Sequence, residues 1–198
     1  AMQTSVILCF ISSILFTRTL SCSWPSVMGP QGIILADTDI LVDLDGERAS
    51  AFLGKVADYG PCLSKDGNAL PLVLAQSVGS NPGPLYDFSE GCGSIHPEDT
   101  QGAVVMVKRG SCNFINKTMN VQASGASVIM VANWGASMGG SSDLLTMGCP
   151  NAIRAVCDSA VIPTVMISNQ DAVTLQRWVR EGHRVEVVVQ ARVEAAHD

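Results

Sequence analysis

Basic residues, aromatic side chains and charge of either sign are all scarce in this chain of 198 residues. Lys and Arg number 12 against 18 Asp and Glu, the formal net charge is −6, and no Lys/Arg cluster occurs. The electrostatic footprint that holds phosphates is therefore missing, which excludes nucleic acid as a partner. Aromatics make up 5% and charged residues 15% of a composition that is 47% hydrophobic, so one core must be built mainly from Val, Ile, Leu, Ala and Met. That composition excludes general disorder, and the length fits a single domain. Only three histidines are present, His96, His183 and His197, far apart in sequence, and no C-x-x-C pair occurs. A zinc site is not supported, and neither a metal nor a small-molecule cofactor is expected.

The sequence also lacks a run long enough to cross a bilayer near its start. The apolar stretch from Val6 to Phe16 is 11 residues long and is followed by the small-residue segment Thr19-Leu20-Ser21-Cys22-Ser23. That length suits a signal-peptide core, so residues 1–21 are read as an export signal, although no Lys or Arg precedes the run and Arg18 follows it. A buried N-terminal strand or helix is the alternative. Of seven cysteines, Cys9 falls inside the signal, which leaves Cys22, Cys62, Cys92, Cys112, Cys149 and Cys157. An even set is what an oxidising compartment would pair, and fifteen connectivities remain open.

Beyond a Pro/Gly linker over 22–32, the apolar runs Ile33-Leu35 and Ile40-Leu44 read as early strands, as do Ala51–Tyr59 and Leu70–Ala75. The aspartates Asp37, Asp39, Asp43 and Asp45 with Gly46 do not fit a calcium loop, because the register that places Gly46 correctly puts Leu41 and Phe52 where carboxylates belong. They are read as solvated hairpin charges. Residues 77–99, rich in Gly, Pro, Ser and Asn, form a long loop. The second half is more regular. Ala103–Val107 and Ser127–Ala132 suit strands buried on both faces. Between them a helix is predicted with Phe114, Thr118, Val121 and Gly125 as its apolar stripe, closed by Gly125. Val161–Ile167 reads as another strand, then a helix with Ser168 as N-cap, Asp171 as capping-box partner, an inward face of Ala172, Leu175 and Val179, and Gly182 beyond its end. Val185–Val189 supplies the last strand. This order implies an α/β domain whose sheet is partly parallel.

The stretch Gly102-Ala-Val-Val-Met-Val-Lys-Arg-Gly-Ser-Cys-Asn-Phe-Ile-Asn-Lys117, then Gln122-Ala-Ser-Gly-Ala126, Val128–Val131 and Ile162-Pro-Thr-Val-Met-Ile167, resembles the protease-associated (PA) domain. The shared pattern is a strand, R-G-x-C-x-F-x-x-K, A-G-A at a helix end and a later I-P-x-x-x-I strand; Ser124 stands in place of the first Ala. Within that family the chain looks most like the lumenal domains of signal-peptide-peptidase-like intramembrane proteases and of vacuolar sorting receptors. The resemblance implies a single PA-type domain over 33–193 with a short tail, 194–198. It implies a mixed β-sheet or open barrel flanked by two or more helices and stapled by disulfides. The implied pairs are Cys92 with Cys112 and Cys149 with Cys157.

A chemical alternative lies in Gly135-Ala-Ser137-Met-Gly139, a G-x-S-x-G match followed in order by Asp158 or Asp171 and His183. A hydrolase elbow needs a helix directly after the serine, and Gly140-Ser-Ser-Asp143 is a poor helix former, so a surface loop is expected instead. The G-x-G-D motif of intramembrane aspartyl proteases is absent. The expected function is therefore non-catalytic: a PA domain that binds polypeptide or regulates an attached protease or receptor domain. Its setting would be the secretory pathway, whether lumenal, vacuolar, endosomal or extracellular. The binding surface is placed at Arg109, Gly110 and Ser111, with Trp134 and the loops Ser77–Ser89 and Trp134–Ser142, because strand carboxyl ends beside a helix start collect free N–H groups. The competing reading pairs Arg109 with Asp87 or Glu90. Asn116-Lys117-Thr118 is a glycosylation sequon at Asn116.

Overall fold

The computed structural model describes residues 37–78, 88–134 and 144–192. The expected signal, the early strand at Ile33-Leu35, and most of the loops Ser77–Ser89 and Trp134–Ser142 lie outside the described residues.

Seven strands close into a barrel: β1 (Asp37–Leu44), β2 (Glu47–Val56), β3 (Ala69–Leu74), β4 (Val104–Lys108), β5 (Val128–Ala132), β6 (Thr164–Ile167) and β7 (Val185–Ala191). Their order around the ring is β1-β2-β6-β5-β4-β3-β7. The expected mixed, partly parallel sheet is present. β3, β4, β5 and β6 run parallel, while β1, β2 and β7 pair antiparallel and join β7 to β3, which closes the ring.

The apolar runs recognised in sequence are buried on both faces for a specific reason. In β4, Val104 and Met106 face the barrel interior with Met130, Val165 and Val187. Val105 and Val107 face outward into a second apolar layer with Ile129, Val131 and Met166. Side chains alternate between faces along a strand, so a strand sandwiched between barrel core and helix must be apolar at every position.

That second layer is covered by α1 (Phe114–Ala123), the crossover from β4 to β5. The helix forms where expected, and Gly125 follows it with a left-handed φ of 85°. Its buried face differs from the predicted stripe: Ile115, Lys117, Thr118 and Val121 point inward, while Phe114 is half-buried at the layer's edge. Thr118 and Val121 of the predicted stripe are buried, and at its amino end Ile115 takes the inward place instead of Phe114, at helical spacing from 118 and 121. Thr118 fits because its hydroxyl is bonded to those of Tyr59 and Thr164 and donates to the Phe114 carbonyl.

The β6 strand begins at Thr164 and not at Val161. Pro163, which has no N–H for a ladder, marks the boundary. No helix was expected before it, yet a 3₁₀ turn (Asn151–Ile153) leads into α2 (Arg154–Cys157). Four residues leave too little periodicity to show in a sequence.

α3 (Asn169–Arg180) runs from the carboxyl end of β6 to the amino end of β7, two points on the same rim, and inserts Ala172 and Leu175 into the barrel core. Its start is as expected: the Asp171 N–H donates to Ser168 Oγ at 3.1 Å, and the Ser168 hydroxyl donates to Asp171 Oδ2 at 2.7 Å. Replacing Ser168 by Ala removes both bonds and is expected to lower stability by about 1 kcal/mol, read as a shift in denaturation midpoint at constant m.

Candidate functional site

The parallel strands β3 to β6 end on one rim, and the residues placed there by the sequence argument share it. β4 leaves the sheet at Lys108, and the chain turns through Arg109, Gly110 and Ser111 before α1. Gly110 has φ 137°, and a Cβ there would lie 2.6 Å from Glu90 Oε1. The left-handed φ is what demands glycine here, since the Glu90 carboxylate is the far end of a flexible side chain and can move aside. Ser111 follows at φ 46°, exposed. The side chain of Asn113, the residue before α1, makes no cap to the helix start.

A disulfide and three contacts of one lysine lock this turn. A disulfide joins Cys92 to Cys112, with Cα atoms 5.7 Å apart. Lys117, fully buried on α1, sends its ammonium back under the turn and donates to the Gly110 carbonyl at 2.7 Å and the Glu90 carbonyl at 2.6 Å. The same Nζ lies 3.4 Å from Cys92 Sγ. Burial pushes the Lys117 ammonium below the ordinary lysine range, an effect partly offset by the charge of Glu90. The lysine of the R-G-x-C-x-F-x-x-K pattern is thus the internal tie between the incoming loop and the arginine turn. Sequence reasoning gave it only a place in a motif. The available signal was its position four residues before Val121, on the buried face of a helix.

Arg109 does not pair with Glu90. Its Nη1 donates to Asn133 Oδ1 at 3.0 Å, and Asp87 lies outside the described residues. The backbone brings the two strand ends together at one atom: the Ala132 carbonyl accepts from Arg109 N at 2.9 Å and from Trp134 N at 2.7 Å. Trp134 packs edge-on against Phe88, centroids 5.9 Å apart, and the Lys108 ammonium sits 5.2 Å from the Phe88 ring and 5.4 Å from the Trp134 ring. Burial, helped by the charge of Arg180, holds Lys108 below its usual range. The rim therefore offers a half-exposed guanidinium, a left-handed turn at a helix start and a half-buried indole on adjacent strand ends.

Ser137 lies outside the described residues. The partners proposed for it are engaged elsewhere: His183 Nδ1 lies 2.8 Å from Asp45 Oδ2, Asp171 caps α3, and Asp158 pairs with Arg154 at 3.4 Å. Asp45 and Gly46 form the β1–β2 turn with φ 53° and 93°, as a hairpin reading of that Asp-Gly pair requires. The second staple, Cys149 with Cys157, is present and ties the start of the 3₁₀ segment to α2; Cys62 is disulfide-bonded too. Among the described residues no group of three or more His, Cys, Asp or Glu could hold a metal, and no helix is long and apolar enough to cross a membrane.

A seven-stranded mixed barrel, with a lysine of α1 and a disulfide tying the incoming loop to the turn after β4, defines the fold class, and the comparison with known families agrees. The PA domain family matches residues 69–175, more than half of the chain. The chain belongs to the PA domain family. It is 26% identical over 155 residues to signal peptide peptidase-like 3 of Arabidopsis thaliana, covering 78% of this chain and 26% of that protein. It is 28% identical over 143 residues to signal peptide peptidase-like 2 of the same plant, covering 72% and 23%. The chain spans about a quarter of the length of these relatives. Among solved structures it is similar to an aminopeptidase from Aneurinibacillus sp. strain AM-1, with TM-score 0.49, 17% identity and 77% and 30% of the two chains covered. A zinc aminopeptidase from Bacillus subtilis gives 0.48, 17%, 79% and 31%.

Proposed function

We propose that this chain is a non-catalytic PA domain that holds an extended polypeptide segment at the Arg109-Gly110-Ser111 turn, with Trp134 beside it, as the extracytoplasmic part of a signal-peptide-peptidase-like protease or a sorting receptor. The observation that carries the reading is the locking of that turn. A buried ammonium, a disulfide and a glycine in a left-handed conformation all hold in place a turn that presents a half-exposed Arg109 and an exposed Ser111, neither of them part of the apolar core. Rigid placement of an exposed loop by a scaffold is the usual arrangement for binding. The uncapped start of α1 and the planar, permanently charged fork of Arg109 favour a carboxylate or peptide carbonyl. The disulfides support a secretory-pathway setting, and the likeness to signal peptide peptidase-like proteins supports a lumenal one. Residues 1–21 as export signal, 33–193 as the domain and a glycan at Asn116 belong to the same proposal. Asn116 is exposed but Lys117 and Thr118 are buried, so sugar transfer has to precede folding.

The test is capture from a random peptide library by the wild type and by Arg109→Ala, with melting temperatures compared. The variant is expected to melt with the wild type, because its lost bond to Asn133 is half-exposed, and to lose at least tenfold in captured peptide. Equal capture by both proteins would remove the turn from the binding surface.

A further inference from the structure

Of the three residues that lock the turn, one pair is chemically reversible. Cys92 is exposed and Cys112 half-exposed, whereas Cys157 of the second staple is fully buried. The Lys117 ammonium has two N–H groups committed to the carbonyls of Glu90 and Gly110, and its third direction is occupied by Cys92 Sγ at 3.4 Å. Among the described residues the charged groups facing this corner are Lys117 from α1 and Glu90 from the incoming loop, whose carboxylate lies beside Gly110. The charged group in hydrogen-bond contact with the sulfur is the Lys117 cation. A sulfur leaving as thiolate is helped by a cation that can donate to it, and a disulfide with a stabilised leaving thiolate and an accessible partner sulfur exchanges quickly.

We infer that Cys92–Cys112 is a redox switch on the arginine turn, reduced by dithiols of the thioredoxin type with Lys117 stabilising Cys92 as the leaving thiolate. The inference goes beyond the peptide-binding reading and does not depend on it. In the first step a dithiol thiolate attacks Cys112 Sγ. The Cys92–Cys112 bond breaks, its electron pair leaves on Cys92, and a mixed disulfide forms on Cys112. The second thiol of the reductant then attacks its own sulfur in that mixed disulfide, becomes a cyclic or intramolecular disulfide, and releases Cys112. The dithiol is oxidised by two electrons, the protein disulfide is reduced by two, and the two thiol protons pass to Cys92 and Cys112. The loop and turn then remain joined only through Lys117 and the backbone, which is a loosened state and not an unfolded one.

Dithiothreitol serves as the probe, with the reduced cysteines trapped by alkylation at intervals and mapped by peptide mass. Cys92–Cys112 is expected to open at least tenfold faster than Cys149–Cys157 in the native chain. In Lys117→Met the same bond should open about three- to tenfold more slowly, although the turn is looser, while Lys117→Arg should keep most of the rate. A Lys117→Met rate equal to or above that of the wild type would show that exposure alone sets reactivity and would overturn the inference. Should Lys117→Met fail to fold, Cys112→Ser leaves Cys92 as a thiol beside an intact Lys117. Its alkylation midpoint in pH is then expected below about 8.5, the ordinary thiol value; a midpoint at or above that value would equally overturn it.

Discussion

Lys117→Met is expected to lower the stability of the domain by about 2–4 kcal/mol. The methionine fills the same channel, so little cavity forms. What is lost is the donor for two inward-facing carbonyls, those of Glu90 and Gly110. Leaving a buried acceptor without a partner costs about 1–3 kcal/mol each. Relief of the buried charge offsets part of that, since removing a desolvated ammonium is itself favourable. For a domain of this size the loss corresponds to a fall of roughly 5–15 °C in Tm, measured by circular dichroism. The pH dependence gives a second reading. Burial lowers the Lys117 pKa in the folded state, so between that lowered value and the ordinary lysine value of 10.5 the unfolded chain binds more protons than the native one. Stability in that window rises with pH through this group. The gap between wild type and Lys117→Met should therefore widen on the alkaline side, and a gap that narrows there would contradict the assignment.

Removing the Cys92–Cys112 bond, as Cys92→Ala/Cys112→Ala, is expected to cost about 3 kcal/mol. The bridged cysteines are separated by 20 residues, and closing a loop of that length in the unfolded chain accounts for roughly this amount in the chain-entropy model. Urea midpoints of the oxidised protein and the double variant measure it. Because Lys117 and the disulfide hold the same two segments, the effects of the two variants should not add. The triple variant is expected to lose less than the sum. Full additivity would mean that the lysine and the disulfide stabilise separate parts of the molecule.

Most of the architecture was legible because the second half of the chain follows its local rules. The runs at Ala103–Val107 and Val128–Ala132 are apolar at every position because helix and barrel core press on both faces. Ser168, Asp171 and Gly182 punctuate α3 by backbone chemistry that needs no tertiary information. The R-G-x-C-x-F-x-x-K pattern located the turn and its disulfide. The rest depended on contacts made across the fold. Arg109 could have met either nearby acid in sequence, but β5 pairs beside β4 and delivers Asn133 to it instead. Phe114 was read as the first residue of the apolar stripe, yet Ile115 and Lys117 take the inward positions and Phe114 is half-buried. A lysine that caps carbonyls from two distant segments has no signature beyond its place on an apolar face. The barrel's closure through β7 to both β1 and β3 is set by register, which composition does not encode.

The central claim is that the locked arginine turn is where polypeptide is held, and amide chemical-shift mapping with a peptide recovered from the library tests it most directly. The account predicts that the largest shifts fall on the amides from Arg109 to Asn116 and on Asn133 and the Trp134 indole, and that they vanish in Arg109→Ala. Shifts of comparable size that instead cluster on the opposite rim, around Gly102, Ser127 and Ala191, with Arg109→Ala binding unchanged, would contradict it.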